Sequence, residues 1–160
     1  MSNQWSTLYL RRSFSLAEAP ATNAHLFLRV DWDDAFLAWL DGRFLAGRNQ
    51  DGSEVEPPFD SLAASGHESS RGNSSPQPAE TIDLGLAAAL LAPGTHTLAL
   101  MGLNQPLNSS DFILVADLFL EAVIPPDPNT NVVSGAIPVD AVWRAALSPY
   151  FVAGTVTVTA

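Results

Sequence analysis

Two adjacent carboxylates, Asp33 and Asp34, end an apolar run and precede a second one. Hard cations are held by carboxylate and carbonyl oxygens, so this pair can ligate calcium or anchor a polar ligand. Carboxylates at a tight corner between strands also accept backbone N–H groups, which is a purely structural role. Ser109, Ser110 and Asp111 pose the same choice before the last long apolar run. Asn104 either hydrogen-bonds a sugar hydroxyl or braces its own loop. Arg48 and Asn49 follow a hairpin strand, and His67 sits in a long polar loop. Arg and Asn are frequent donors to sugars, and loops at the end of a sandwich often carry binding function. His67 can ligate a metal or hold its loop in place. Trp32 and Trp39 have the flat apolar rings that stack on a pyranose. Trp32, however, shares parity with Leu26, Leu28 and Val30, and Trp39 with Ala35 and Leu37, which places both in a core. Trp5 and Trp143 are expected as packing anchors, and His25 and His96 as strand residues with no partner evident in sequence.

No arrangement for bond-making chemistry accompanies these groups. The chain has no Gly-x-Ser-x-Gly elbow, no His-Glu-x-x-His helix, no phosphate loop and no Gly-rich dinucleotide turn. No pattern places two carboxylates across a cleft, as glycoside hydrolysis requires. The expectation is a chain that is not an enzyme.

The elements that would position these residues are strands. Alternation with period two runs through Leu8 to Phe14, His25 to Asp34 and Ala35 to Leu40. Asp41-Gly42 is a hairpin turn signal, with Arg43 to Gly47 as the return strand. His96 to Met101 and Phe112 to Val123 continue the pattern. Leu84 to Leu91 is the one helical candidate, too short to stand alone and ended by Pro93-Gly94. Gln50 to Ala79 is rich in Pro, Ser and Gly and is expected to be a long loop, of the kind that is often functional. Ile124 to Asn131 has a linker's composition, and Val132 to Ala160 resumes strand character. The expected organisation is therefore a β-sandwich over 1–124, a Pro-rich linker over 125–131 and the truncated start of a further β-rich module over 132–160.

Composition narrows the setting. The 160 residues carry a formal net charge of −10, which disfavours nucleic acid and anionic membranes as partners. No apolar run approaches the roughly 20 residues that span a bilayer. There are no cysteines, so disulfides, thiolate metal sites and cysteine nucleophiles are excluded. Hydrophobic residues make up 47% and charged ones only 15%, the remainder being mostly Ser, Thr, Asn and Gln, a mixture suited to an extracellular sandwich. The opening Met1-Ser2-Asn3-Gln4-Trp5 lacks a signal-peptide pattern, and the expectation is a segment from within a longer exported bacterial protein.

Several strings occur together in a characteristic order: Tyr9 to Phe14 (YLRRSF), Val30 to Gly42 (VDWDDAFLAWLDG), Pro93 to Leu103 (PGTHTLALMGL), Asn104, and Ser109 to Phe112 (SSDF). With Ser65 to Glu68 and Glu80 to Leu84, they resemble a galactose-binding-like jelly-roll domain of large secreted bacterial proteins. Ala35, Trp39, Asp41 and His96 depart from that pattern, which has Gly, Tyr, Asn and Asn there. Val133 to Val158 resembles the lead-in to a right-handed parallel β-helix. The resemblance implies an accessory module that binds carbohydrate through Arg48, Asn49, His67, Asn104 and Asp111. It also implies a structural calcium ion at Asp33 and Asp34. The alternative is a spacer or assembly domain that contacts neighbouring modules of its parent chain, or itself, through the C-terminal tail.

Overall fold

The structure is a computed structural model, and it describes residues 4–51, 55–72, 74–122, 131–137 and 150–158. The chain divides into two compact units, Met1–Val123 and Ile124–Ala160. The first contains seven strands: β1 (Thr7–Leu16), β2 (Ala24–Asp33), β3 (Ala35–Leu40), β4 (Arg43–Arg48), β5 (Glu80–Leu86), β6 (Gly94–Leu103) and β7 (Ile113–Ala122). They form a four-stranded sheet in the order β1-β6-β3-β4 and a three-stranded sheet in the order β5-β2-β7. All pairings in these two sheets are antiparallel. The chain changes sheet at every connection except the β3–β4 hairpin.

The period-two pattern explains the layering. On β2, Leu26, Leu28, Val30 and Trp32 are buried while Arg29 faces solvent. Leu28, Val30 and Trp32 meet Phe36 and Ala38 of β3, Ala46 of β4 and Leu98 and Leu100 of β6 in one core cluster, and Leu26 packs with Leu40, Ala87 and Leu91 in an adjoining one. Each fully buried side chain of the size of Leu28, Val30 or Phe36 contributes about 1.5–3 kcal/mol. Strand β3 is apolar on both faces for a second reason. Ala35 and Leu37 point to the other side of the four-stranded sheet and pack with Met101, Leu103 and Ala63. Ala63 belongs to the long loop, which therefore covers part of that outer face. Trp39, expected in a core, is half-buried on this outer face against Phe44, with ring centroids 6.2 Å apart.

The hairpin turn has Asp41 at φ 52° and Gly42 at φ 83°, the left-handed pair that an Asp-Gly loop tolerates. Asp41 also ties this hairpin to β6. Its carboxylate accepts the His96 Nδ1–H at 2.6 Å and the Thr97 N–H at 2.7 Å. His96 Nε2 donates to the Ala92 carbonyl at 2.8 Å. His25 likewise meets Asp83 at 2.9 Å, so neither histidine lacks a partner. The stretch Leu84 to Leu91 is mostly not helical. Its start completes β5, where Ile82 and Leu84 pack on the core, and only Ala87–Ala89 form a 3-10 turn.

The second unit contains β8 (Asn131–Ile137) and β9 (Tyr150–Val158), which pair in parallel. Of the expected linker 125–131, only Asn131 is among the described residues, and it opens β8. Among the described residues no helix is long and apolar enough to cross a membrane.

Two outcomes follow. The Ala92 carbonyl and the Asp41 carboxylate raise the His96 pKa above its ordinary 6.5, while His96 and the Thr97 N–H lower that of Asp41 below 3.8. The histidine's contribution is complete below pH 6.5 and fades as pH rises through its raised value. The aspartate's is complete above 3.8 and fades as pH falls through its lowered one. The gap in melting temperature between the native chain and His96→Gln should thus be widest between these values and shrink toward alkaline pH; a gap that is flat above neutrality contradicts this. Second, a Cβ on Gly102 would lie 2.4 Å from the Phe112 ring. Gly102→Ala should cost about 1–3 kcal/mol in denaturant unfolding.

Candidate functional site

The corner between β2 and β3 carries the string Asp31-Trp32-Asp33-Asp34 to the loop end of the sandwich. Three of these four residues hold the long loop. Asp31 accepts the Ser70 N–H at 2.8 Å and the Ser70 hydroxyl at 2.6 Å. Asp34 accepts the His67 N–H at 2.9 Å and, with its other oxygen, the Gln105 N–H at 2.7 Å. The Trp32 ring stacks on His67, with centroids 4.5 Å apart and planes 7° from parallel. His67 Nδ1 also donates to the Trp32 carbonyl at 3.3 Å. Asn49, at φ 55°, donates to the carbonyls of Asp34 and Ser65 and accepts the Ser65 hydroxyl.

Asp33 is different. It is 4% exposed. Burial, then the nearby Asp34, Asp111 and Glu68, raise its pKa to about 6. One carboxylate oxygen from each of Asp33, Glu68 and Asp111 lies within 4.8 Å of the other two. These three line a cavity of about 450 Å3 together with Asp34, His67, Gln77, Gln105 and Ser109.

Four of the seven expected site residues (Asp33, Asp34, His67 and Asp111) meet at this cavity. Arg48 does not line it: its guanidinium grips both oxygens of Glu80, at 3.0 and 2.5 Å. Asn49 is engaged in bracing, as above. Asn104 is wholly buried, its main chain bonded to Ser6 and Ala63 and its side-chain amide without a partner among the described residues. Glu68 was not anticipated as a site residue. Its signal is weak, one carboxylate in a polar loop, and only the fold brings it beside Asp33.

A second cavity, of about 470 Å3, lies on the outer face of the four-stranded sheet. Register places Ala99 of β6 between Arg11 of β1 and Trp39 of β3, and the small residue leaves a trough. Tyr9, Arg11, Trp39, Asp41, Glu56 and Thr97 line it. Tyr9 is 55% exposed. This combination of one exposed and one half-buried aromatic ring, a guanidinium and carboxylates was not expected from sequence. The alternation of Tyr9 and Arg11 with Leu8 and Leu10 was its only trace.

No protein family, curated protein or solved structure matches this chain.

The roles of the paired carboxylates separate experimentally. Asp34→Ala removes two charge-assisted bonds to partly buried main chain and should cost about 2–4 kcal/mol. Asp33→Asn should do the reverse at pH 7. An acid whose folded pKa is raised loses stability as pH climbs through that value, and the amide cannot ionise. The expected gain in metal-free protein is on the order of 1–3 kcal/mol by urea unfolding. Equal destabilisation by the two variants would refute the distinction.

Proposed function

We propose that this chain is a non-catalytic accessory module of a secreted or surface protein, of the galactose-binding-like jelly-roll type, and that it binds carbohydrate. The observation that carries this reading is the trough on the outer face of the four-stranded sheet. Sugars present an apolar C–H face and a ring of hydroxyls. Recognition needs an exposed aromatic surface beside groups that donate and accept hydrogen bonds. Tyr9 and Trp39 supply the first, and Arg11, Glu56, Asp41 and the Trp39 indole N–H the second. The alternation of the chain between two antiparallel sheets supports the jelly-roll assignment. This reading sets the sugar site on the sheet face rather than at the loop end, where Arg48 and Asn49 are engaged in structural bonds.

A second reading, as a spacer or assembly element, is favoured by one observation. The β8–β9 pair exposes Val132 and Val152, and a two-stranded sheet is marginal in water. Contact with a neighbouring module or a second copy would bury that surface.

A glycan array followed by calorimetry tests the carbohydrate reading. A soluble oligosaccharide should bind, and Trp39→Ala and Tyr9→Ala should each weaken it by roughly 5- to 30-fold, an anchor loss of about 1–2 kcal/mol. Absence of binding across the array, or an affinity indifferent to both substitutions, would count against it.

A further inference from the structure

We infer that the loop end carries a docking surface, centred on Trp5 and Phe59, that takes a basic polypeptide segment by one apolar side chain. The surface shares no lining residue with the sheet-face trough, and the inference does not rest on carbohydrate binding.

Phe59 is 71% exposed and Trp5 64%, more than any other large hydrophobic side chain among the described residues. Trp5, expected as a packing anchor, therefore anchors little. The two rings line one hollow of about 330 Å3 with Leu62, Leu107 and Asp60, and both leucines are also exposed. Single exposed apolar residues are ordinary. Four that converge from three separate stretches of chain form a patch, and such patches mark interaction sites. Hydrogen bonds to main chain hold those stretches together. The wholly buried Asn104 donates its N–H to the Ser6 carbonyl at 2.7 Å, and its carbonyl accepts the Ala63 N–H at 3.1 Å. The Thr7 hydroxyl donates to the Phe59 carbonyl. The Ser61 N–H donates to the Pro58 carbonyl at 3.1 Å, and the Ser109 N–H to the Pro106 carbonyl at 2.9 Å. The backbone that carries the rings is thus tied down in the free chain, so little ordering opposes docking.

Two properties choose the occupant. The first is the mixed lining. A sugar stacks on flat rings, and Leu62 and Leu107 offer nothing to its hydroxyls. An aromatic or branched side chain of a polypeptide meets all four apolar residues. The hollow sits at the small end of the roughly 300–1,000 Å3 typical of ligand pockets, which suits a single anchor. The second property is charge of one sign. Residues 4–7, 49–63 and 104–111 include the carboxylates of Asp51, Glu54, Glu56, Asp60 and Asp111 and no Lys, Arg or His. Asp51 lines a further hollow of about 380 Å3 that shares Leu62 with the first. An apolar centre with acidic surroundings complements an apolar residue flanked by Arg or Lys. It repels acidic partners, among them an anionic membrane and a second copy of this chain at net charge −10.

The test is selection from a displayed library of random peptides on the immobilised 160-residue chain, followed by calorimetry with the enriched peptides. Enriched sequences should place Arg or Lys beside one aromatic or branched aliphatic residue. Trp5→Ala and Phe59→Ala should each weaken their binding by at least about tenfold. Both side chains are exposed, so native-like melting temperatures should show that the variants fold. Asp60→Asn should weaken binding by roughly two- to fivefold, and affinity should fall with added salt. Tyr9→Ala and Trp39→Ala should leave it unchanged, so loss of this surface and loss of the sugar site are told apart. Acidic or wholly polar enriched sequences, no enrichment over a Trp5→Ala/Phe59→Ala double variant, or indifference to the single substitutions would each overturn the proposal. So would a Trp5-dependent dimer in sedimentation, or Trp5-dependent pelleting with phosphatidylcholine vesicles, which would give the patch to a second copy or to lipid.

Discussion

The fixing of a long, Pro- and Ser-rich loop to one strand corner is the constraint on which the loop end depends. The loop has no named strand or helix among its described residues, so its place is set by the sandwich. Asp31 and Asp34 provide the attachment, because a carboxylate bonded to main-chain N–H groups satisfies donors that a loop would otherwise bury unpaired. Trp32 adds an apolar platform for His67. The same attachment carries Glu68 to Asp33 and sets Ala63 over Leu37 and Leu103. Loosening this corner would therefore disturb the acidic cavity and the cover of the outer sheet face together.

Alternation decides the other half of the design. In β1, β3 and β6 one parity faces the inter-sheet core and the other faces outward. Part of the outward face lies under the loop, and the rest forms the trough of Tyr9, Arg11 and Trp39. The two candidate sites are thus products of one arrangement. The loop end concentrates oxygen ligands, and the sheet face presents aromatic rings. A rigid sheet suits a rigid pyranose, since little ordering is needed on binding.

Much of the β-sandwich was legible in the chain. Leu26, Leu28, Val30 and Trp32 mark one face of β2, and Asp41-Gly42 marks the hairpin; both follow from local chemistry that the fold does not override. Strand β5 was obscured because Leu84 to Leu91 is rich in Ala and Leu, which suits a helix, while pairing with β2 decides the outcome. The candidate site was legible only in part. Asp33, Asp34, His67 and Asp111 are polar groups in loops, and four such groups do converge. That Asp34 holds the loop depends on the N–H groups of His67 and Gln105, more than 30 residues away. Trp39 has the parity of a buried residue, yet an apolar strand with two covered faces leaves its register face undetermined by sequence.

The central claim is that carbohydrate binds on the sheet face. Chemical-shift mapping of backbone amides and the tryptophan indoles during titration with a bound glycan tests it most directly. The account predicts perturbations concentrated at Tyr9, Arg11, Ala99 and the Trp39 indole N–H, with the Trp32 indole unmoved. Perturbations confined to the loops around His67 and Asp111, or none in the presence of every glycan tried, would contradict it.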